Sequence, residues 1–91
     1  MNKSELIEAL AVKKGLTYKK AEELINTIFE AMTNALLTGN RIEIRGFGSF
    51  VVKEYQSYTG RNPKTGESIS VKSKKLPFFK VGKELKEKVT D

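Results

Sequence analysis

Between Arg41 and Phe50 the chain reads RIEIRGFGSF, and here its hydrophobic period changes. Ile42 and Ile44 alternate with Arg41, Glu43 and Arg45, the signature of a strand with one buried face and one polar face. Gly46 and Gly48 bracket Phe47 and mark a tight turn, after which FVVKEY continues as a second strand. Phe47 and Phe50 read as core residues, as does Phe79 further along.

Upstream the period is helical. Asn2 can cap a first helix, with Glu5 placed to complete a capping box and Leu6, Ile7 and Leu10 forming its buried stripe. Gly15 ends it, since glycine adopts the left-handed conformation at little cost. Thr17 caps a second helix, in which Ala21, Leu24, Ile25, Ile28, Phe29, Met32, Ala35 and Leu36 repeat at helical spacing until Gly39.

Downstream, residues 53–75 hold only Tyr55, Tyr58, Ile69 and Val71 as sizeable apolar side chains. They read as two extended strands of about ten residues, each reaching roughly 33 Å, joined at NPKTG. Pro63 suits an early turn position and Gly66 a later one with positive φ. A two-stranded ribbon with so little to bury is barely stable alone, so it is expected to project and move. KLPFF then returns to the core, and GKELKEKV forms a short terminal helix with a basic face. The expected fold is α+β: two helices, a three-stranded antiparallel sheet extended into a long β-ribbon arm, and a C-terminal helix. Residues 1–52 and 76–91 form the body and 53–75 the arm of a single domain.

The 91 residues include no cysteine and no histidine, which removes disulfides and the commonest metal ligands as sources of stability. A chain of this length buries only about 60–65% of its unfolded surface. Oligomerisation is the remaining remedy. Leu24, Ile28, Phe29, Met32 and Leu36 offer more apolar surface than the short first helix can cover, which points to a two-fold dimer. Ile44, Phe47, Phe50 and Phe79 complete the expected dimer core.

Catalysis finds little support, because neither nucleophile–base pairs nor a phosphate-loop motif occurs. No cofactor, metal or small-molecule substrate is expected. Glu5 and Glu8 interrupt the apolar N-terminal stretch, which argues against a signal peptide, and no run approaches a membrane span. The expected location is the cytoplasm.

The net charge of +6 lies wholly in the second half, where twelve Lys/Arg face six Asp/Glu; residues 1–40 are balanced. One part of the fold is thus suited to a polyanion. Lys53, Arg61, Lys64, Lys72, Lys74 and Lys75 line the ribbon. An extended cationic ribbon can follow a groove, binding phosphates and admitting arginine where the groove is narrow. Pro63, rigid and without an N–H, can act as a wedge between base pairs or can simply shape the turn.

RIEIRGFGSF, TGRNPKTGE and PFFKVGKELK stand in the order and spacing of the bacterial HU/IHF family of histone-like and integration-host-factor proteins, which the whole chain resembles. The resemblance implies an intertwined dimer whose two β-arms embrace DNA in the minor groove and bend it, organising the nucleoid. It makes Pro63 the intercalating wedge and places Arg61 and Asn62 in the groove. Lys53, Tyr55, Tyr58, Lys72, Lys74 and Lys75 then lie along the arm, with arginine common in the family where the two tyrosines stand. Lys3, Lys80, Lys83 and Lys86 match basic body positions that touch flanking backbone. The partner implied is double-stranded DNA, bent or distorted sites being favoured.

Residues 41–50 are similar to the β-subunits of integration host factors, where the residues matching Glu43 and Arg45 cooperate at a minor-groove site. A carboxylate beside Arg45 can fix its guanidinium in one orientation. Two modes remain open: a homodimer binding with little sequence preference, and a site-selective subunit of a heterodimer serving recombination, replication or transcription. Basic arms alone would also permit RNA binding or a protein-gripping scaffold. Competition between duplex DNA and duplex RNA separates the first of these.

Overall fold

The capping box at the N-terminus forms: Asn2 Oδ1 accepts from the Glu5 N–H at 2.9 Å, and the Asn2 N–H donates to Glu5 Oε1 at 3.3 Å. In the computed structural model, which describes residues 1–90, this box starts helix α1 (Lys3–Lys14). Gly15 ends α1 at φ 63°. Thr17 Oγ1 accepts from the Lys20 N–H at 3.1 Å and starts α2 (Tyr18–Leu37). The first turn of α2 carries Lys19 and Lys20 and no acidic residue. Cations at the positive end of a helix dipole are unfavourable by about 0.3–1 kcal/mol each.

Three strands form the main sheet in the order β1 (Ile42–Ile44), β2 (Gly48–Tyr55), β5 (Lys74–Val81), all antiparallel. Phe50 is the last β2 residue paired with β1; from Val51 to Tyr55 only β5 accompanies it. A second ladder, β3 (Tyr58–Arg61) with β4 (Ser68–Val71), continues the ribbon. Helix α3 (Lys83–Thr90) closes the described chain.

The ribbon is not two unbroken strands. The ladder lapses at Gln56–Ser57 on one side and Lys72–Ser73 on the other. Tyr55 pairs with Lys74 before the lapse and Tyr58 with Val71 after it, so one register runs through. None of the four unpaired residues has an apolar side chain, so cross-strand packing contributes nothing there.

Burial is sparse. Ile7, Ala21 and Ile25 form the only buried cluster among the described residues, with Leu6, Leu10 and Ala11 packed against it. Met32, Leu36 and Phe50 are half-buried, whereas Leu24, Ile28, Phe29, Ile44, Phe47 and Phe79 are exposed, Ile28 at 52%. The radius of gyration is 19.2 Å, against about 12 Å for a compact domain of this length. The accessible surface is 7953 Å², whereas a compact monomer of this size exposes about 5,300 Å². The arm accounts for part of the excess and the uncovered apolar face for the rest.

Candidate nucleic-acid interface

Residues directly opposite in an antiparallel ladder share a face, so the register sorts the sheet into two sides. Ile42, Ile44, Phe50, Val52, Pro77 and Phe79 occupy one side. The last turns of α2 meet this side: Thr33, Leu36 and Leu37 line a cleft with Val52 and Pro77. Phe79 packs at a tilt against Phe50 and Phe47, with ring centroids 4.7 and 5.6 Å apart.

Glu43, Ser49, Lys53, Tyr55, Lys74 and Lys80 occupy the other side. Carrying the alternation through the lapse adds Arg61 and Lys72. The cations that composition placed merely along the arm thus fall largely on one face, away from the helices. Lys75 does not: it lies opposite Glu54 on the helix side.

Leu76 and Phe78, read from sequence as part of a strand returning to the core, stand on the cationic face, each more than two-fifths exposed. Alternation counted outward from Phe79 would have shown this. Lys53 Nζ sits 3.6 Å from the centre of the Phe78 ring, and Lys74 Nζ 5.8 Å from that of Tyr55. The aromatic at position 55 thereby positions a neighbouring cation.

Glu43 pairs with Arg41, Nη2 to Oε1 at 2.9 Å, and no Glu43–Arg45 bridge forms among the described residues. Arg41 and Arg45 flank β1 on either side, Arg45 in the turn leading to Gly46 (φ 83°). Arg45 remains close to Glu43, lining a cleft with it, Ser49 and Gly82. Both members of the formed pair are more than three-fifths exposed, so it contributes about 0–1 kcal/mol.

The arm tip is closed by its own hydrogen bonds. The Asn62 N–H donates to Glu67 O at 2.8 Å and the Gly66 N–H to Asn62 O at 2.7 Å. Asn62 Oδ1 accepts from the Lys64 N–H at 2.9 Å, an Asx turn that occupies the side-chain oxygen and leaves the amide NH₂ as its donor group. Gly66 takes φ 73°, as the turn requires. Pro63 stands exposed at the head of this loop, where its missing N–H costs no hydrogen bond.

On the body, Lys3 opens α1, Lys80 lies opposite Ser49, and Lys83 and Lys86 lie on α3. All four are exposed; Lys83 has a loose 3.9 Å contact with Glu87. Among the described residues no acidic, histidine or cysteine cluster is arranged to hold a metal ion, and no helix is long and apolar enough to cross a membrane.

The family model described as bacterial DNA-binding protein matches residues 1–90. Integration host factor subunit beta of Stutzerimonas stutzeri is 53% identical over 100% of this chain and 99% of its own length. That of Thioalkalivibrio sulfidiphilus is 54% identical, over 98% of this chain and 94% of its own length. Among solved structures, HU from an Anabaena HU–DNA cocrystal superposes with a TM-score of 0.84 at 38% identity, covering 98% of this chain and 97% of that one. HU from Thermotoga maritima gives 0.69 at 38% identity, with 98% of each chain covered. A match along the full described length, with a shared fold, leaves one conclusion: the chain belongs to the bacterial DNA-binding protein family of HU and integration host factor.

Proposed function

We propose that this protein is an architectural DNA-binding protein that bends duplex DNA, acting as a two-fold dimer in the nucleoid of the cytoplasm. One observation carries the reading: a single β register runs from the body to the tip, setting Lys53, Lys74, Arg61 and Lys72 on one face and ending at an exposed proline. The exposed apolar residues Leu24, Ile28, Phe29, Ile44, Phe47 and Phe79 meet their equivalents in the partner and complete the core that one chain lacks. Two arms then follow the minor groove from opposite sides. Arg61 and the Asn62 amide enter it, while Lys53, Lys64, Lys72 and Lys74 take phosphates.

Pro63 of each arm wedges into a base step. Unstacking costs a few kcal/mol per step, offset by contacts that the bend brings to Lys3, Lys80, Lys83 and Lys86. Smooth bending of a site costs on the order of 1–6 kcal/mol, so nicked or flexible duplexes bind more tightly. The action is mechanical, with no bond made or broken. Energy transfer between dyes at the two ends of a short duplex tests the reading. The purified chain should raise the transfer, and an unchanged end-to-end distance at saturation rejects it.

A second reading, a site-selective subunit working beside a related chain, is favoured by the 53–54% identity to integration host factor β-subunits. Selection from a random duplex pool by the purified chain alone distinguishes the two. Enrichment of no motif supports generic binding. A motif recovered only after a second subunit is added supports the heterodimer.

A further inference from the structure

The middle of the cationic face is apolar. Val51 lies opposite Phe78 and Leu76 opposite Lys53, so an apolar strip separates Lys80 from Lys53 and Lys74. Val51 is half-buried, whereas Phe78 and Leu76 are exposed at 43% and 44%. An apolar strip set inside a polar face is the informative exception among exposed side chains. Phe78 makes one specific contact there. The Lys53 ammonium, diagonal to it across the ladder, lies 3.6 Å from the centre of its ring.

What holds a lysine decides what that lysine can still do. No carboxylate among the described residues pairs with Lys53. The neighbouring Glu54 stands on the opposite face, across from Lys75. A carboxylate would fix the ammonium but neutralise it, and a phosphate would then have to displace a charge-assisted partner. A ring face attracts the cation through its quadrupole and leaves the full charge in place. The N–H groups turned away from the ring stay free to donate. A lysine held in this way has already given up part of the rotamer freedom that binding would otherwise cost. Its position suits the role, since Lys53 lies just past Phe50, where β1 ends its pairing and the arm begins.

We infer that Phe78 is a positioning residue for DNA binding, whose ring holds the Lys53 ammonium charged and in place for a backbone phosphate. Lys53 makes the contact with DNA, and Phe78 acts through it. The inference rests on the reading that a duplex lies along the cationic face, and the test separates the two.

A double-mutant cycle on a short duplex at low salt reads the coupling. An exposed cation–π contact is worth about a two- to fivefold factor, so with two copies in a dimer Phe78→Leu should weaken binding on the order of tenfold. In a Lys53→Ala background the same substitution should change affinity by less than about twofold. Phe78→Tyr keeps the ring face and should bind as the parent does. Equal losses in both backgrounds overturn the inference, since Phe78 would then touch DNA itself or serve only the fold. Tighter binding by Phe78→Leu overturns it as well, because the ring would then be withholding Lys53 from DNA. The parent chain gives a reading that no substitution can disturb. The proton signals of the Lys53 ε-methylene should be moved upfield by the ring, with and without the duplex. Signals at ordinary lysine positions in the complex reject the held geometry. If the parent leaves the duplex unbent while the cycle still shows coupling, the bending reading falls and the part played by Phe78 stands.

Discussion

Phe50 and Phe79 lie opposite each other across β2 and β5 with their rings 4.7 Å apart, yet Phe79 remains 37% exposed in the single chain. A packed aromatic pair left open to water is a half-built core. Phe79→Ala should therefore act on assembly as well as on the fold. The expected loss is about 3–5 kcal/mol per truncated phenylalanine in a completed core. The wild-type melting temperature should rise with protein concentration, because association stabilises only the folded form. Thermal melts over a hundredfold concentration range check this, and a concentration-independent midpoint with a monomeric mass contradicts the dimer.

Pro63 projects from a loop already closed by Asn62, Gly66 and Glu67, so replacing it should leave the arm tip intact. Pro63→Ala is expected to reduce the bend angle while changing dilute-salt affinity by less than about tenfold, since phosphate contacts supply most of the binding free energy. Energy transfer and retardation on the same duplex measure the two effects. An unchanged angle removes Pro63 from the mechanism.

Lys74 and Lys75 are adjacent in sequence but stand on opposite faces, Lys74 across from Tyr55 and Lys75 across from Glu54. In a dimer with two arms, Lys74→Ala should make the slope of log affinity against log salt shallower by about 2, roughly one phosphate per arm. Lys75→Ala should change it by less than half as much. Titrations at four salt concentrations decide the matter, and equal slopes for the two variants would mean that the sheet face does not select the phosphate contacts.

A methyl group on Gly48 would come within 2.5 Å of the Lys80 carbonyl oxygen and 2.6 Å of the Phe79 ring. The carbonyl is backbone and cannot swing away. Gly48→Ala should destabilise by about 1–3 kcal/mol, as overpacking of a tight site does. Denaturant titration of the variant reads this directly. Gly15 has open space around its Cβ position, so Gly15→Ala should cost only the strain of its φ of 63°.

A part for Arg45 in selectivity is open to direct test. Glu43 pairs with Arg41, and Arg45 lines the same cleft as Glu43. Arg45→Ala should narrow any difference between preferred and random duplexes. Equal losses on both would mark Arg45 as a phosphate or structural residue.

The helix boundaries at Asn2, Gly15, Thr17 and Gly39, the alternation at Ile42 and Ile44, and the turn at Pro63 to Gly66 are legible in the sequence. Each depends on backbone chemistry within a few residues. The family signature is legible for the same reason, being carried by contiguous segments. What only the tertiary structure decides is sidedness. Whether Lys74 or Lys75 shares a face with Lys53 follows from a register that pairs residues about twenty positions apart, Tyr55 with Lys74 and Glu54 with Lys75. Which of the flanking arginines pairs with Glu43 is likewise decided by the tertiary structure, because Arg41 and Arg45 are equally spaced from it in sequence.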